Sequence, residues 1–289
     1  MSKPSSPCAV IADARKRFEA AGLVDAAADA RLLVCHFAEL TTTQLVTDGD
    51  ADLPSDILQA IERAVQQRLD REPVFRIIGR RAFYGLTLAL SAETLEPRPD
   101  TEILVDAVLP HLQALEQKNG PVSILDLGTG TGAIALALLE QTKQTRAVGV
   151  DVSADALQTA LSNASENGLS DRFETRLGSW FAAVQGKYHL IVSNPPYIPS
   201  SVMETLEPEV LKHDPPKALD GGADGLDAYR AIAKDAGQHL ADGGLIGLEI
   251  GYDQQQTVTQ IFEEKGFSLV EARCDLGGRD RVLLFVAGT

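Results

Sequence analysis

The residues best suited to chemistry form the run Ser193-Asn194-Pro195-Pro196-Tyr197. The Asn194 side chain offers an oxygen that accepts hydrogen bonds, the Pro195 carbonyl offers a second acceptor, and the two prolines hold both rigid by fixing φ. Two such acceptors, aimed at the N–H bonds of a planar NH2 group, let its nitrogen regain the lone pair that it shares with a neighbouring carbonyl. Tyr197 can stack on the same flat group. The run predicts chemistry at an amide-type nitrogen, with an ordinary proline turn as the alternative.

A second run, Asp126-Leu127-Gly128-Thr129-Gly130-Thr131-Gly132, has the spacing G-x-G-x-G after an acidic residue. Glycines let a backbone turn tightly and approach a ligand closely. A dinucleotide site prefers G-x-G-x-x-G, and Asp126 would suit its pyrophosphate poorly. The carboxylate suits a cation such as the methionine amine of S-adenosyl-L-methionine. We predict that this run binds S-adenosyl-L-methionine, that the reaction product is S-adenosyl-L-homocysteine and that no metal takes part. A plain tight turn is the alternative interpretation of the run.

Two further positions fit the same cofactor. Asp151 follows the next predicted strand about 20 residues on, where a carboxylate can accept hydrogen bonds from both ribose hydroxyls. It could equally cap the helix just ahead of Ser153. Ser179 and Trp180 follow a third predicted strand. In a parallel α/β sheet that binds S-adenosyl-L-methionine, the loop after this strand lies beside the adenine of the cofactor. Trp180 is the only tryptophan in the chain, and a half-buried surface aromatic is its other interpretation.

Together the two runs predict methyl transfer to nitrogen. A methyl group on a sulfonium is already a strong electrophile, so the enzyme has only to align the groups and restore the nitrogen lone pair. Acceptors whose bonds strengthen as the nitrogen becomes cationic stabilise the transition state more than the ground state. The π face of Tyr197 is favourable beside a sulfonium. The product sheds its proton easily, so no dedicated base is expected.

These residues need a framework that brings strand ends together. Apolar patterning predicts strands at 122–127, 147–150, 173–177, 190–193, 245–250, 268–274 and 282–286. Helices are predicted at 101–109, 131–140, 153–167, 225–240 and 253–265. Such alternation is typical of a doubly wound α/β sheet, which binds ligands at the carboxyl ends of its strands. The last two strands are joined by only a short turn, so they must be antiparallel. This is the Rossmann-like shape of class I methyltransferases.

The N-terminal part has a different pattern. The pattern in residues 1–75 predicts a small helical bundle. One helix is predicted at 9–21, and two more begin after Asp25 and Ser55, which can act as their N-terminal caps. Residues 76–96 predict a β-hairpin connector, and 97–289 the methyltransferase domain. Nothing in the bundle looks catalytic.

Composition narrows the function classes. The chain has 289 residues, 44% of them hydrophobic and 23% charged, as in an ordinary globular protein. Its net charge is −15, and residues 91–289 hold 15 Lys and Arg against 29 Asp and Glu. An acidic catalytic half repels a phosphate backbone, so direct nucleic-acid binding is not expected. The three cysteines are scattered, which disfavours disulfides and zinc. Without a signal or membrane segment, we expect a cytoplasmic monomer.

The motifs resemble those of a known family. DLGTGTG at 126–132 with NPPY at 194–197 is similar to methyltransferases that act on amino groups attached to planar carbons. Adding the helical N-terminal domain, the hairpin, PRPDTE at 97–102 and SNPPYIP at 193–199, the whole chain resembles the release-factor glutamine methyltransferases. The resemblance implies N5 methylation of the glutamine in the Gly-Gly-Gln motif of bacterial peptide-chain release factors. It also implies that the helical domain helps to hold the release factor.

Site residues carry over by position. The resemblance assigns Gly128 to Gly132 and Asp151 to the cofactor and Trp180 to the border of its adenine. Family members often have an acidic residue just before that position, whereas this chain has Ser179, whose hydroxyl can still accept a hydrogen bond. The substrate glutamine would meet Asn194, Pro195, Pro196 and Tyr197. Arg98 and Glu102 match the PRPDTE motif and either contact the substrate or brace the wall of the site.

Three alternatives stay open at this point. The first is a glutamine methyltransferase for a ribosomal protein, which uses the same chemistry. The second is a nucleic-acid methyltransferase acting on adenine N6 or guanine N2, with the N-terminal arginines as its best support and the acidic catalytic half against it. The third is a non-catalytic scaffold that binds S-adenosyl-L-methionine, which the intact Asn194 and Tyr197 argue against.

Overall fold

The computed structural model describes residues 4–288, apart from the side chain of Asn119. These residues form two compact units. The first contains the residues up to Gly79 together with Pro208–His213, and the second contains Arg80–Glu207 and the residues from Asp214 onward. None of the described helices combines the length and apolar character needed to cross a bilayer.

The first unit is a helical bundle. Its helices are α1 (Pro7–Ala20), α2 (Ala26–Phe37), α3 (Thr42–Asp48), α4 (Ser55–Leu69) and α5 (Val74–Ile78), with a short helix, Pro208–His213, from later in the chain. Each of the three longer helices contributes large apolar side chains to the core, and Phe18 of α1, Leu33 of α2 and Ile61 of α4 are fully buried there. Helices α3 and α5 were not predicted. Ser55 begins α4 instead of capping it, because Pro54 occupies the N-cap.

Buried ion pairs join the late helix to this bundle. Arg68 Nε lies 2.7 Å from Asp29 Oδ2, and both side chains are almost fully buried. Glu209, from Pro208–His213, lies 3.4 Å from Arg68 Nη1 and 3.3 Å from Arg71 Nη1. Because buried charges are stable only when they are paired, Arg68 ties the late helix to α2 and α4.

The second unit contains a hairpin and a seven-stranded sheet. Its elements are β1 (Arg80–Phe83), β2 (Leu86–Ala89), α6 (Glu102–Asn119), β3 (Ser123–Leu127), α7 (Ala133–Glu140), β4 (Arg146–Asp151), α8 (Ala154–Glu166), β5 (Phe173–Leu177), β6 (Tyr188–Ser193), α9 (Ser200–Met203), α11 (Asp227–His239), β7 (Leu240–Glu249), α12 (Gln255–Glu263), β8 (Phe267–Cys274) and β9 (Asp280–Ala287). Helix α10 is the helix Pro208–His213 of the first unit. The short helices α9 and α10 were not predicted.

The strand order is β5-β4-β3-β6-β7-β9-β8. Strands β3 to β7 are parallel, whereas β9 is antiparallel to both β7 and β8. Two apolar clusters, one built around α6 and α7 and the other around α11 and α12, make up the core. The order reverses between β3 and β6, so the ligand site of such a sheet lies at their carboxyl ends. The predicted antiparallel end of the sheet is confirmed.

Helix α6 is longer than the predicted span 101–109. It follows a 3-10 turn at Pro99–Thr101 and continues through Pro110 to Asn119. Its buried apolar face contains Leu104, Val105, Val108 and Leu112. Burial of this face outweighs the hydrogen bond that Pro110 cannot make, which is why a helix breaker failed to end the helix.

Within the second unit, Asn163 of α8 joins the hairpin to the glycine-rich loop. The fully buried Asn163 side chain accepts from the backbone N–H of Ala89 at 2.7 Å and donates to the carbonyl of Thr131 at 2.9 Å. One side chain thereby joins strand β2 to the glycine-rich loop. This contact lies inside the second unit, where the hairpin strands pack.

Candidate active site

A cavity of about 480 Å³ lies at the carboxyl ends of β3, β4, β5 and β6. Several predicted site residues line it: Arg98, Gly128, Thr129, Gly130, Thr131, Asp151, Ser179, Trp180, Asn194 and Pro196. The predicted residues Glu102, Asp126, Gly132, Pro195 and Tyr197 do not line it. The sheet thus brings the glycine-rich run and the Asn-Pro-Pro run to one cavity, and its volume is typical of a small-molecule site.

The glycine-rich loop is open towards this cavity. Gly128 and Gly130 have φ of 72° and 53°, a region that side-chain-bearing residues rarely adopt. A Cβ added at either position would meet no protein atom within 4 Å. The backbone here is therefore exposed for close approach by a ligand.

Asp126 lies beneath the loop. It is fully buried and accepts a hydrogen bond from the Thr129 hydroxyl at 2.7 Å. Burial raises the pKa of this carboxyl to about 7; hydrogen bonds from Thr129 and the Ala135 backbone oppose the rise, and the charge of Asp151 adds to it. Asp126 thus shapes the loop through Thr129, and its predicted contact with a cationic amine stays a prediction.

The Asp151 carboxylate closes the loop from the end of β4. Its Oδ2 accepts from the Gly130 N–H at 2.9 Å, and its Oδ1 accepts from the Ser153 N–H at 2.9 Å. Each oxygen keeps a further acceptor site. Ser153 itself caps α8 by accepting from the Ala156 N–H. Asp151 therefore orders the loop and still presents acceptors to the cavity.

Trp180 stands in the loop after β5 with a strained backbone. Its φ is 49°, an uncommon value for a bulky residue. The side chain is half-buried against the core cluster around α11 and α12, and it lines the cavity beside the exposed Ser179. Strain of this kind marks a position where the surroundings dictate the placement of a side chain.

Asn194 is half-buried one residue beyond β6. Its Nδ2 donates to the hydroxyl oxygen of Thr101 at 3.1 Å. Thr101 is buried at the end of the 3-10 turn that precedes α6. This bond occupies the nitrogen end of the Asn194 amide.

The backbone after Asn194 is held from behind. Ile198 forms two backbone hydrogen bonds with the segment 219–221. Its N–H donates to the Leu219 carbonyl at 2.9 Å, and its carbonyl accepts from the Gly221 N–H at 2.8 Å. Tyr197 packs against the core cluster around α11 and α12, and burial raises its pKa. The two prolines and these bonds leave the run little freedom to move.

The PRPDTE residues brace the wall of the cavity. Arg98 Nη2 lies 2.6 Å from Asp214 Oδ2, and Arg281 of β9 lies 3.3 Å from Asp100. The carboxylate of Glu102, a candidate substrate contact in the sequence, instead accepts from the backbone N–H of Tyr84 at 2.8 Å. Glu102 therefore holds the hairpin turn.

Two segments of the chain match families of known description. Residues 9–79 match the PrmC N-terminal domain, and residues 101–215 match the Methyltransferase small domain. A release factor glutamine methyltransferase of Agrobacterium fabrum is 52% identical over 272 residues, covering 94% of both chains. Another, from Rhodospirillum rubrum, is 44% identical, covering 93% of this chain and 81% of that protein. The chain belongs to the release factor glutamine methyltransferase family.

The fold has solved counterparts. A methyltransferase from Pyrococcus furiosus has a TM-score of 0.53 and 19% identity, covering 78% of this chain and 100% of that chain. At this identity the likeness concerns the fold alone. The predicted class I methyltransferase fold and the family resemblance are both confirmed.

Membership of the release factor glutamine methyltransferase family implies S-adenosyl-L-methionine as the methyl donor. The cavity fits a molecule of that size and character. The open backbone at Gly128 and Gly130 forms a cradle, Asp151 offers acceptors, and Trp180 offers an aromatic face. Within residues 4–288, no cluster of three or more His, Cys, Asp or Glu side chains is arranged to hold a metal ion.

Sequence reasoning missed several residues of this site. Thr101 and the segment 215–218 were not singled out, although they line the cavity. Glu249 was also missed: it is 2% exposed at the end of β7, where Leu248 pairs with Ser193. The available signal was a lone acid at the end of the otherwise apolar stretch 245–250.

Proposed function

We propose that this chain transfers a methyl group from S-adenosyl-L-methionine to the side-chain amide nitrogen of a glutamine in peptide-chain release factors. The observation that carries the proposal is the shared cavity of the glycine-rich loop and Asn194, in a chain 52% identical to a release factor glutamine methyltransferase. A methyl-donor cradle and an amide-binding acceptor therefore face the same space.

The finer proposal concerns the atom and the motif. A primary amide presents two N–H bonds in one plane. We propose Asn194 Oδ1, on the cavity wall, and the backbone carbonyl of Pro195, which is buried directly behind it in the chain, as the two rigid acceptors. This complementarity supports N5 of glutamine as the methylated atom. The Gly-Gly-Gln motif is the proposed context because the resemblance to release-factor glutamine methyltransferases implies it.

On the cofactor side, the loop from Gly128 to Gly132 would cradle the donor, and Asp151 would accept from its ribose hydroxyls. Ser179 and Trp180 would border the adenine. When bound, S-adenosyl-L-methionine supplies an electrophilic methyl group. Asp126 would attract the cationic amine of the donor, and it also fixes Thr129 of the loop.

The chain's own residues then act through position and charge. Asn194 and Pro195 accept hydrogen bonds from the amide NH2 group, which orients it and raises the electron density on the nitrogen that attacks the methyl group. Their hydrogen bonds strengthen as the nitrogen gains positive charge, so they lower the barrier more than they tighten binding. Tyr197 supports the run from the core side. The methylated nitrogen releases its proton without a dedicated base.

The first unit fits a role in holding the protein substrate. We propose residues 1–75 as the docking domain, 76–96 as the connector and 97–289 as the methyltransferase domain. We propose that the chain acts as a monomer. A release factor substrate places the reaction in the cytoplasm, where translation ends.

The test is a labelling experiment. The purified chain is incubated with tritiated S-adenosyl-L-methionine and, separately, with release factor, ribosomal subunits and DNA, and labelled peptides are mapped by mass spectrometry. We expect label on the Gly-Gly-Gln glutamine, and a labelling rate about 10²- to 10³-fold lower with the Asn194→Ala variant. Label on ribosomal protein or nucleic acid, with the release factor untouched, would overturn the proposed substrate.

A further inference from the structure

The Asn194 amide has two ends that differ in function. For the proposed chemistry its oxygen must face the substrate NH2 group, because two NH2 groups facing each other bring donor against donor. An amide fits its space equally well after a half-turn, so only hydrogen-bond partners decide which end faces the cavity. Something in the protein has to set this orientation.

Thr101 cannot set it alone. Its hydroxyl oxygen accepts from Asn194 Nδ2 at 3.1 Å. A hydroxyl can equally donate, so it would satisfy the amide oxygen after a half-turn. The deciding partner must be a group that only accepts.

Glu249 is such a group. In the parallel pair of β6 and β7, Ser193 lies opposite Leu248. Asn194 follows Ser193 and Glu249 follows Leu248, so the two residues occupy neighbouring positions at the ends of adjacent strands. The side chains of Thr101 and Asn194 lie near enough to Glu249 to lower its pKa, and Asn194 Nδ2 donates to Thr101 between them. Its Oε2 is buried and has no hydrogen-bond partner among the described residues. An ionised carboxylate attracts the NH2 end of the Asn194 amide and repels its oxygen.

We propose that Glu249 is a positioning residue, which holds the Asn194 amide with Nδ2 turned inward and Oδ1 turned towards the substrate. This inference rests on the proposed function, since it explains how Asn194 becomes a hydrogen-bond acceptor. Thr101 completes the arrangement by accepting from Asn194 and donating to Glu249.

The arrangement depends on pH. Burial raises the pKa of Glu249 to about 7, with the hydrogen bonds from Thr101 and Asn194 and the charge of Arg281 opposing the rise and the charge of Asp100 adding to it. A protonated carboxyl can donate, so it no longer rejects the amide oxygen.

The other groups around Glu249 leave it as the source of this dependence. Burial raises the pKa values of Tyr197 and Tyr229, so both stay neutral near pH 7. Burial disfavours the charge on Arg281, but its hydrogen bond to Asp275 and the charges around it raise its pKa. Asp100 is paired with that guanidinium, with Asp100 Oδ2 3.3 Å from Arg281 Nη2.

The kinetic test uses Glu249→Gln, which keeps the shape but can donate as well as accept. We expect kcat to fall about 10- to 100-fold, the scale of losing one preorganised hydrogen-bonding group in part, with the Kd for S-adenosyl-L-methionine unchanged. Thr101→Val should lose activity and Thr101→Ser should restore it. In the native chain kcat should fall below pH 7, and Glu249→Gln should remove that dependence. Native kcat in Glu249→Gln would overturn the proposal.

A second measurement works without the release factor. The Asn194 side-chain NH2 resonance is identified by its loss in Asn194→Ala and followed by 15N NMR from pH 6 to 8. We expect it to shift with a midpoint near pH 7 in the native chain and to stay constant in Glu249→Gln. A resonance that does not titrate, or titrates equally in both, would refute the orienting role even if the proposed substrate were wrong. Thermal melting checks that each variant is folded.

Discussion

The Gln254 side chain holds the Tyr197 backbone: Nε2 of Gln254 donates to the Tyr197 carbonyl oxygen at 3.0 Å. The same nitrogen donates to the Gly225 carbonyl at 3.2 Å, and the Gln254 oxygen accepts from the Gly251 N–H at 3.0 Å. Gln254 is 8% exposed, so these bonds are shielded from water. A single buried amide therefore fixes the run that carries Asn194 against the loop after β7.

Gly225→Ala tests how tightly this support is built. Gly225 has φ of 76°, and a Cβ there would lie 2.4 Å from the Tyr197 carbonyl oxygen. We expect a lower Tm and a loss of kcat of at least tenfold, because the Asn194 run must shift away from the added atom. Gly243→Ala is the matched control, since its φ is 72° but its Cβ meets nothing within 4 Å. It should cost only about 1–2 kcal/mol of backbone strain and leave kcat unchanged. Equal kcat in the two variants would show that the run tolerates displacement.

Asn194→Ala separates catalysis from cofactor binding. Removing the amide oxygen should lower kcat by about 10²–10³, as for loss of one preorganised hydrogen-bonding group. Because Asn194 contributes only part of the cavity wall, the Kd for S-adenosyl-L-methionine, measured by calorimetry, should stay within about twofold. A parallel loss of affinity would make Asn194 a cofactor-binding residue.

Asp151→Ala should act on the opposite half of the site. Loss of a charged acceptor costs about 1.5–3 kcal/mol, so the Kd for S-adenosyl-L-methionine should rise about tenfold to a hundredfold. Asp151→Asn should lose less, since it keeps one acceptor for the Gly130 N–H. Asp155→Ala, an exposed acid in the first turn of α8, is the control for charge. An unchanged Kd in Asp151→Ala would remove the proposed ribose contact.

Much of this architecture is legible in the sequence. The strand at 173–177 was predicted with the bounds that the structure has, because it stands between a helix and a glycine turn in a chain of alternating strands and helices. The runs 126–132 and 193–197 were placed at strand ends because each directly follows a short apolar stretch in the sequence. The antiparallel end of the sheet followed from the shortness of the turn between β8 and β9 alone.

The remaining features depend on contacts between distant residues. Asn163 reaches Ala89, 74 residues away, and Asn194 reaches Thr101, 93 residues away. No local pattern marks such pairs. Glu249 is informative only once β7 is known to lie beside β6. Asp126 was placed at the correct strand end, but its depth below the loop depends on how Thr129 folds over it.

Stability should depend on pH through Asp126. Its folded pKa is about 7 against an ordinary value of 3.8, so between these values the folded chain binds more protons than the unfolded chain. Stability therefore falls as pH rises through that window. Asp126→Asn is neutral throughout, so its Tm relative to the native chain should rise from pH 5 to pH 8. Differential scanning calorimetry at both pH values measures this, and groups common to both proteins cancel. A constant difference in Tm would mean that Asp126 is not protonated near neutral pH.

The first unit should depend strongly on Arg68. Arg68→Leu leaves the Asp29 carboxylate buried without its partner at 2.7 Å and removes one cation from Glu209. Breaking a buried pair in this way costs about 3–5 kcal/mol, which urea unfolding followed by circular dichroism would detect. Arg63→Leu is the control, because Arg63 is exposed on the same helix and should cost less than about 0.5 kcal/mol. Asp29→Leu combined with Arg68→Leu should recover much of the loss, since no unpaired charge then remains in the Asp29 position. If the double variant is no more stable than Arg68→Leu, the cost comes from lost packing of the arginine stem, and the buried charge is not its cause.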